Sequence, residues 1–263
     1  MGRVVRDQAI KEFWDDRARR ERLRPDATLR DKNLRLLEIE VIKSFIPSGK
    51  TVVDIGCGNG FSTLVFSRFS RSKMIGVDAS PEMIKFAKKR FGSVGGETWQ
   101  KSDFIVGSAY DLPLKPAKVD EVVTERCLVN ISTWSKQKKA LREIARILRP
   151  KGTFVMLEGI EERLEQLNRL RTSLGLRRIR SPWHDLNICE KRFRGFIKRY
   201  FRIESVNGFG IYYVASRVLY PLSILPDEPD YDSKINKAAR KLSTVLSGLD
   251  DISHEVCIVL KRR

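Results

Sequence analysis

Thr51-Val52-Val53-Asp54-Ile55-Gly56-Cys57-Gly58-Asn59-Gly60 decides how this chain is read. Val52, Val53 and Ile55 make a short apolar run, which predicts a buried strand. Three glycines follow at alternate positions, Gly56, Gly58 and Gly60, and Phe61 to Phe69 then reads as a helix. Without Cβ atoms such a loop can turn tightly, and a ligand can lie against bare backbone. The loop belongs at the carboxyl end of the first strand, the edge at which open α/β sheets bind ligands.

The spacing narrows the ligand. A dinucleotide fingerprint is G-x-G-x-x-G, and a P-loop ends in a phosphate-binding lysine. This chain has neither: the run is G-x-G-x-G, preceded by Asp54. The next strand, Met74 to Val77, ends in Asp78, a carboxylate able to accept both hydroxyls of a ribose. Asp54, the glycines and Asp78 in this order resemble the class I S-adenosylmethionine (SAM) methyltransferases, and the resemblance covers residues 30–160. The competing reading is a glycine turn in an unrelated α/β protein.

The resemblance implies a cofactor, SAM, and a place for each part of it. Asp54 and the backbone around Gly56, Cys57, Gly58 and Gly60 hold its amino acid end, and Asp78, followed by Ala79, holds the ribose. The family's next motif is D-A-x-x-L-P, whose acid bonds adenine. Here the segment is Ser108-Ala109-Tyr110-Asp111-Leu112-Pro113, so Ser108 replaces that acid while Ala109 still offers its backbone. Asp111 is an alternative acid close by, in a position where a turn residue is the usual reading. Arg149-Pro150-Lys151-Gly152 resembles the family's turn into the fifth strand.

Taken in order, strands are expected at Asp103–Gly107, Val119–Thr124, Thr153–Leu157, Phe201–Val206 and Ile252–Leu260, and Gly208 to Tyr220 reads as aromatic and β-rich. Helices are expected at Leu29–Phe45, from the Ser80-Pro81 cap to a loop at Gly92–Gly96, and at Trp134–Leu148, Glu161–Leu174, Cys189–Tyr200 and Lys234–Leu246. Alternation of this kind predicts an α/β fold, a doubly wound parallel sheet covered on both faces. With the resemblance it becomes a seven-stranded, mostly parallel Rossmann-like sheet with an antiparallel edge strand. Residues 1–29 read as a helical lid or arm, 30–160 as the SAM-binding core, and 161–263 as specificity insertions with strands that complete the sheet. Phe13 and Trp14 favour the lid over a solvated arm.

Composition sets limits. Of 263 residues 41% are apolar, enough for a full core. Phe209 to Leu225, the longest candidate for a membrane span, is interrupted by Ser216, Arg217 and Pro221. No signal peptide is visible, and four scattered cysteines fit a reduced, cytoplasmic protein. With only two histidines beside them, no metal site is expected. The net charge of +18 points to a polyanionic partner, RNA or an anionic membrane touched peripherally, or else reflects a generally basic proteome.

For chemistry, Glu125 at the end of the fourth strand is the first candidate to meet the methionine moiety or the acceptor; its alternative is a salt bridge with Arg126 or a lid arginine. Trp183-His184-Asp185, in an arginine-flanked loop, offers a ring to stack on and His184 as a general base, against the plainer reading of a loop brace. Glu158 is a further acceptor-side candidate. The loop Pro182-Trp183-His184-Asp185-Leu186 and the run Tyr212 to Leu222 also resemble, loosely, methyltransferases that accompany glycan assembly genes. The favoured reading is therefore methyl transfer to a small-molecule or saccharide acceptor, lipid-linked or free, at oxygen. An RNA methyltransferase and a non-catalytic SAM-binding regulator are the alternatives. Oligomeric state is not readable from the sequence.

Overall fold

The computed structural model describes residues 3–96 and 102–263, with side chains from residue 6 onward. The glycine loop follows β1 (Thr51–Ile55). That strand lies third in a seven-stranded sheet ordered β3-β2-β1-β4-β5-β7-β6, with β2 at Lys73–Asp78, β3 at Ser102–Val106, β4 at Val119–Glu125, β5 at Leu148–Gly159, β6 at Phe201–Gly208 and β7 at Glu255–Arg262. Pairing is parallel from β3 through β5, and β7 runs antiparallel to both its neighbours. The antiparallel strand expected at the edge thus lies one position in, and β6 forms the edge itself.

The pleat sends alternate residues of each strand to opposite faces, so the nearly continuous apolar strands feed two cores. Val122, Phe154 and Ile258 face one core with α5 (Trp134–Ile147) and α7 (Glu190–Ile197), through Leu141, Ile144, Phe193 and Ile197. Val123, Val155 and Cys257 face the other with α2 (Lys32–Phe45) and α6 (Glu161–Ser173), through Leu37, Ile42 and Leu167. Phe154 is fully buried, and its truncation to Ala would cost about 3–5 kcal/mol. Caps fix where helices begin. Ser80 accepts from Met83 N at the start of α4 (Pro81–Val94), and Asp31 accepts from Leu34 N at the start of α2.

Several boundaries differ from the sequence reading. Residues 1 and 2 of the lid lie outside the described residues; α1 (Arg3–Glu21) supplies its helix. The second helix starts at Lys32 rather than at Leu29, because the carboxylate of its N-cap, Asp31, reaches a free amide. Helix α4 runs through Gly92 to Val94, where a loop was expected. The largest correction is at Gly208–Tyr220. After β6 ends at Gly208 the chain becomes one helical run, α8 (210–224), whose middle turn, Ala215–Leu219, is π-wound. Its aromatic and β-branched residues have strand propensity. The buried positions, however, include Phe209, Tyr212, Tyr213 and Ser216, at helical spacing, so tertiary burial overrides propensity. A last helix, α9 (Lys234–Leu242), stops short of Leu246.

Candidate active site

The glycine loop works through its backbone. Gly56, Gly58 and Gly60 all have φ in the left-handed region, at 77°, 54° and 74°. A Cβ on Gly56 would lie 2.6 Å from Cys127 Cβ, so the loop passes hard against the turn that follows β4. The N–H of Gly58 donates to Asp78 Oδ2 (2.9 Å), and that of Ser80 donates to Oδ1 (2.8 Å). These two amides oppose the burial that pushes Asp78 up to about 6. Each carboxylate oxygen keeps a lone pair for a further donor, as a ribose diol provides.

Asp54 accepts from the Thr63 hydroxyl (2.5 Å) and is pushed up to about 7 by burial. Arg35, from the inner face of α2, donates to the hydroxyls of Thr28 and Ser62. Its Nε and Glu125 Oε1 are buried and have no hydrogen-bond partner among the described residues. An amino acid zwitterion carries the two groups they lack, a carboxylate and an ammonium. This donor set fits the methionine end of SAM.

Asp54, Gly56, Cys57, Gly58, Asp78, Ala79, Ser108, Ala109, Glu125 and His184 all line one cavity of about 930 Å³ at the carboxyl edge of β1, β2 and β4. That volume admits a nucleoside together with an acceptor. Gly60 is not on the cavity wall. A Cβ there would meet Ala87 Cβ at 3.1 Å, so Gly60 lets the first turn of α3 (Phe61–Ser70) pack on α4. Asp111 is also off the wall; its N–H closes a turn on Ser108 O (3.0 Å), the turn role rather than the adenine role. Burial raises the Cys57 thiol far above its ordinary range, which leaves it an inert wall.

Helix α1 roofs the cavity. Its Asp15 meets the Ser80 hydroxyl (2.5 Å), Trp14 Nε1 donates to Asn130 Oδ1 (3.0 Å), and Asp7 engages Ser132 and Lys136. Asn59 secures the return segment by donating to Arg22 O and Arg24 O. Phe13 lies 4.5 Å from the His184 ring, centroid to centroid.

On the acceptor side, His184 Nδ1 is 3.0 Å from both Asn130 Oδ1 and Asp185 Oδ1. Two acceptors at one nitrogen place the N–H there, so Nε2 carries the lone pair. Behind it, Arg126 sits in the left-handed region (φ 51°) and pairs with Glu38; Glu125 lies 3.6 Å away. Those carboxylates raise the Arg126 pKa against the opposing effect of burial. Burial raises Glu38 to about 7. Glu158 does not face the acceptor: its carboxylate receives the N–H groups of Cys127, Leu128 and Val129 and shapes the turn after β4. It is fully buried and off the cavity wall.

Sequence reasoning missed Arg35, His254 and Glu255, all on the wall. His254 Nδ1 is 3.2 Å from Glu255 Oε1, and its Nε2 is 3.2 Å from Asn187 Oδ1, while Asn187 Nδ2 donates to Ser181. A neutral imidazole has one N–H for two oxygens. Burial holds His254 down to about 4 and lifts Glu255 to about 8, so Glu255 carries the second proton near neutrality. One signal was available: the chain has two histidines, and both line this cavity. Another was in α2, where Arg35, Glu38 and Ile42 share a face.

A parallel sheet with its glycine loop, ribose-type carboxylate and roofed cavity at one edge defines a nucleoside-binding α/β domain. Residues 53–156 match the family described as methyltransferase domain. The chain is 30% identical over 146 residues to the uncharacterized protein MJ1252 of Methanocaldococcus jannaschii, covering 56% of this chain and 50% of that one. It is 34% identical over 127 residues to the uncharacterized methyltransferase YcgJ of Bacillus subtilis, covering 46% and 47%. The chain spans about half the length of these curated relatives. Among solved structures, geranyl diphosphate C-methyltransferase from Streptomyces coelicolor superposes with a TM-score of 0.65 at 15% identity, over 98% of each chain, a likeness of fold. Residues 53–156 thus carry a methyltransferase domain of the SAM-dependent class, and SAM is the cofactor that its site fits. Among the described residues no helix is long and apolar enough to cross a membrane.

Proposed function

We propose that the chain transfers a methyl group to a hydroxyl oxygen of a small-molecule or saccharide acceptor, free or carried on a lipid. One observation carries this reading: His184, oriented by Asn130 and Asp185, presents Nε2 as a proton acceptor in a roofed cavity. SAM, when bound, supplies an electrophilic methyl group on a positively charged sulfur. The chain's task is to hold the acceptor hydroxyl in line and remove its proton as charge develops. His184 Nε2 takes that proton, and the Asp185 carboxylate at Nδ1 balances the imidazolium that forms. Glu125 and Arg126 line the wall between the donor and acceptor sides. The roof formed by α1 keeps water from competing as acceptor.

The test is transfer of labelled methyl from SAM into total extract of the source cells, separated into saccharide, lipid, RNA and protein fractions. Label in the saccharide or lipid fraction, lost with His184→Ala, is the expected result. Ribonuclease-sensitive label would move the acceptor to RNA, the second reading, which the basic charge favours. No label, with SAM binding intact, would favour a regulator.

A further inference from the structure

We infer that the face built by α5, α7 and the carboxyl end of β7 is a docking surface for RNA, held outside the cavity. The inference is independent of the acceptor chemistry proposed above.

The charge of this chain is not spread evenly. Residues 134–151, 190–204 and 261–263 hold 16 Lys and Arg against three acids, while the rest of the chain has 35 against 30. In sequence these stretches are far apart, but the fold joins them. Helices α5 and α7 cover the same core through Leu141, Ile144, Phe193 and Ile197. At the end of β7, the Arg262 guanidinium reaches Leu148 O, and Arg263 N donates to Tyr200 O (2.9 Å). Arg202 and Lys261 leave by the opposite face, beside Thr153, but most of the net charge still lies on the α5/α7 side of the sheet.

Much of it is available to a partner. Lys139, Arg142, Lys151, Lys191, Lys198 and Arg199 are exposed and form no ion pair among the described residues. Rings lie among the cations. Trp134 and Phe196 meet edge to face at 5.9 Å, and Phe196 is 5.6 Å from Tyr200. Lys138 stands over Trp134 and Arg142 over Phe196, at 5.9 and 5.7 Å. All three rings are part-exposed.

Cations that follow a backbone, interleaved with rings that bases can stack on, are the features of a surface for single-stranded nucleic acid. An anionic bilayer shares only the first of these. Peripheral membrane helices also insert apolar side chains, and none of the large exposed apolar residues falls in these three stretches. The face also stands clear of the acceptor site. Of its cations only Lys136, in the first turn of α5, lines the cavity.

The experiment is fluorescence anisotropy of a fluorescein-labelled single-stranded RNA of about 20 nucleotides, titrated with the full chain at several salt concentrations. Compared with wild type are Lys139→Glu/Arg142→Glu/Lys198→Glu/Arg199→Glu, its Gln counterpart, and a control on α4, Lys88→Glu/Lys89→Glu. Calorimetric SAM affinity checks that each variant is folded. The expected result is at least about a tenfold loss of RNA affinity in both quadruple variants, with a salt slope shallower by about 0.7 per lost contact. The control keeps wild-type binding. Equal losses in control and quadruple variants, undiminished binding by the quadruple variants, or a salt-independent affinity would each overturn the inference. So would tighter binding to phosphatidylserine vesicles than to RNA through the same residues.

Discussion

The two halves of the cavity are built in different ways. The donor half comes mainly from consecutive strand–loop units, the loops after β1, β2 and β3, and offers mostly backbone and the carboxylates of Asp54 and Asp78, completed by Arg35 of α2 and Glu125 at the end of β4. The acceptor half is assembled from side chains far apart in sequence: Arg126 after β4, His184 in the loop before α7, and His254 and Glu255 at β7. A ligand common to a whole fold class can be met by one contiguous motif. A particular acceptor needs side chains brought together by tertiary structure, and in this chain that means three segments.

If this division holds, the largest effect belongs to His184→Ala. It should reduce methyl transfer by about 10²–10⁴ in the extract assay, the usual worth of a general base. Undiminished transfer would make His184 a brace for its loop.

Next is Glu158→Gln. The replacement leaves one carbonyl oxygen for three buried amides and should destabilise the fold by about 2 kcal/mol in urea unfolding, because unsatisfied buried groups are penalised. A wild-type midpoint would show that the turn after β4 does not depend on that carboxylate.

The donor half should respond to pH. A ribose diol donates to ionised Asp78, whose pKa is about 6, so binding favours the charged form. Below that value affinity should fall by up to about tenfold per pH unit, and Asp78→Asn should lose that part of the slope. Slope left in the variant would come from the other raised carboxylates on the wall, Asp54 near 7 and Glu255 near 8. An unchanged calorimetric profile in the variant would remove Asp78 from the ribose.

A further effect is on stability, spread over a pH range, and concerns Glu255. Its folded pKa, about 8, lies above the ordinary 4.5, so the native state holds a proton that the unfolded chain releases. Stability from this group is full below about 4.5 and is lost as pH rises through 8, with a slope of at most about 1.4 kcal/mol per pH unit. Glu255→Gln should flatten that dependence in denaturant titrations at pH 6 to 8; an equally steep variant would contradict the protonated Glu255–His254 pair.

The same contrast explains what could be read in the sequence. The strands through β5, the glycine loop and Asp78 were legible because each is a local pattern: an apolar run, a set of left-handed turns, an acid at a strand tip. Gly60 was misassigned because spacing does not say which side of a loop a glycine serves; here it is the side against Ala87. Glu158 was misassigned because its partners, three amides of another turn, are not encoded near it. The helix at 210–224 was hidden by strand propensity, and its buried face appears only when α2 lies against it: Tyr212 donates to Asp31, the cap of that helix (2.7 Å). The net charge was visible in the sequence, and only the pairing of α5 with α7 gathers much of it on one face.

The most direct test of the division between donor and acceptor sides is calorimetric titration of SAM into Asp78→Ala and His184→Ala side by side. The expected result is a loss of about 100-fold or more in Asp78→Ala, roughly the worth of a charge-assisted pair of hydrogen bonds, with affinity within about twofold of wild type in His184→Ala. SAM bound as tightly by Asp78→Ala as by wild type, or lost equally from both variants, would contradict it.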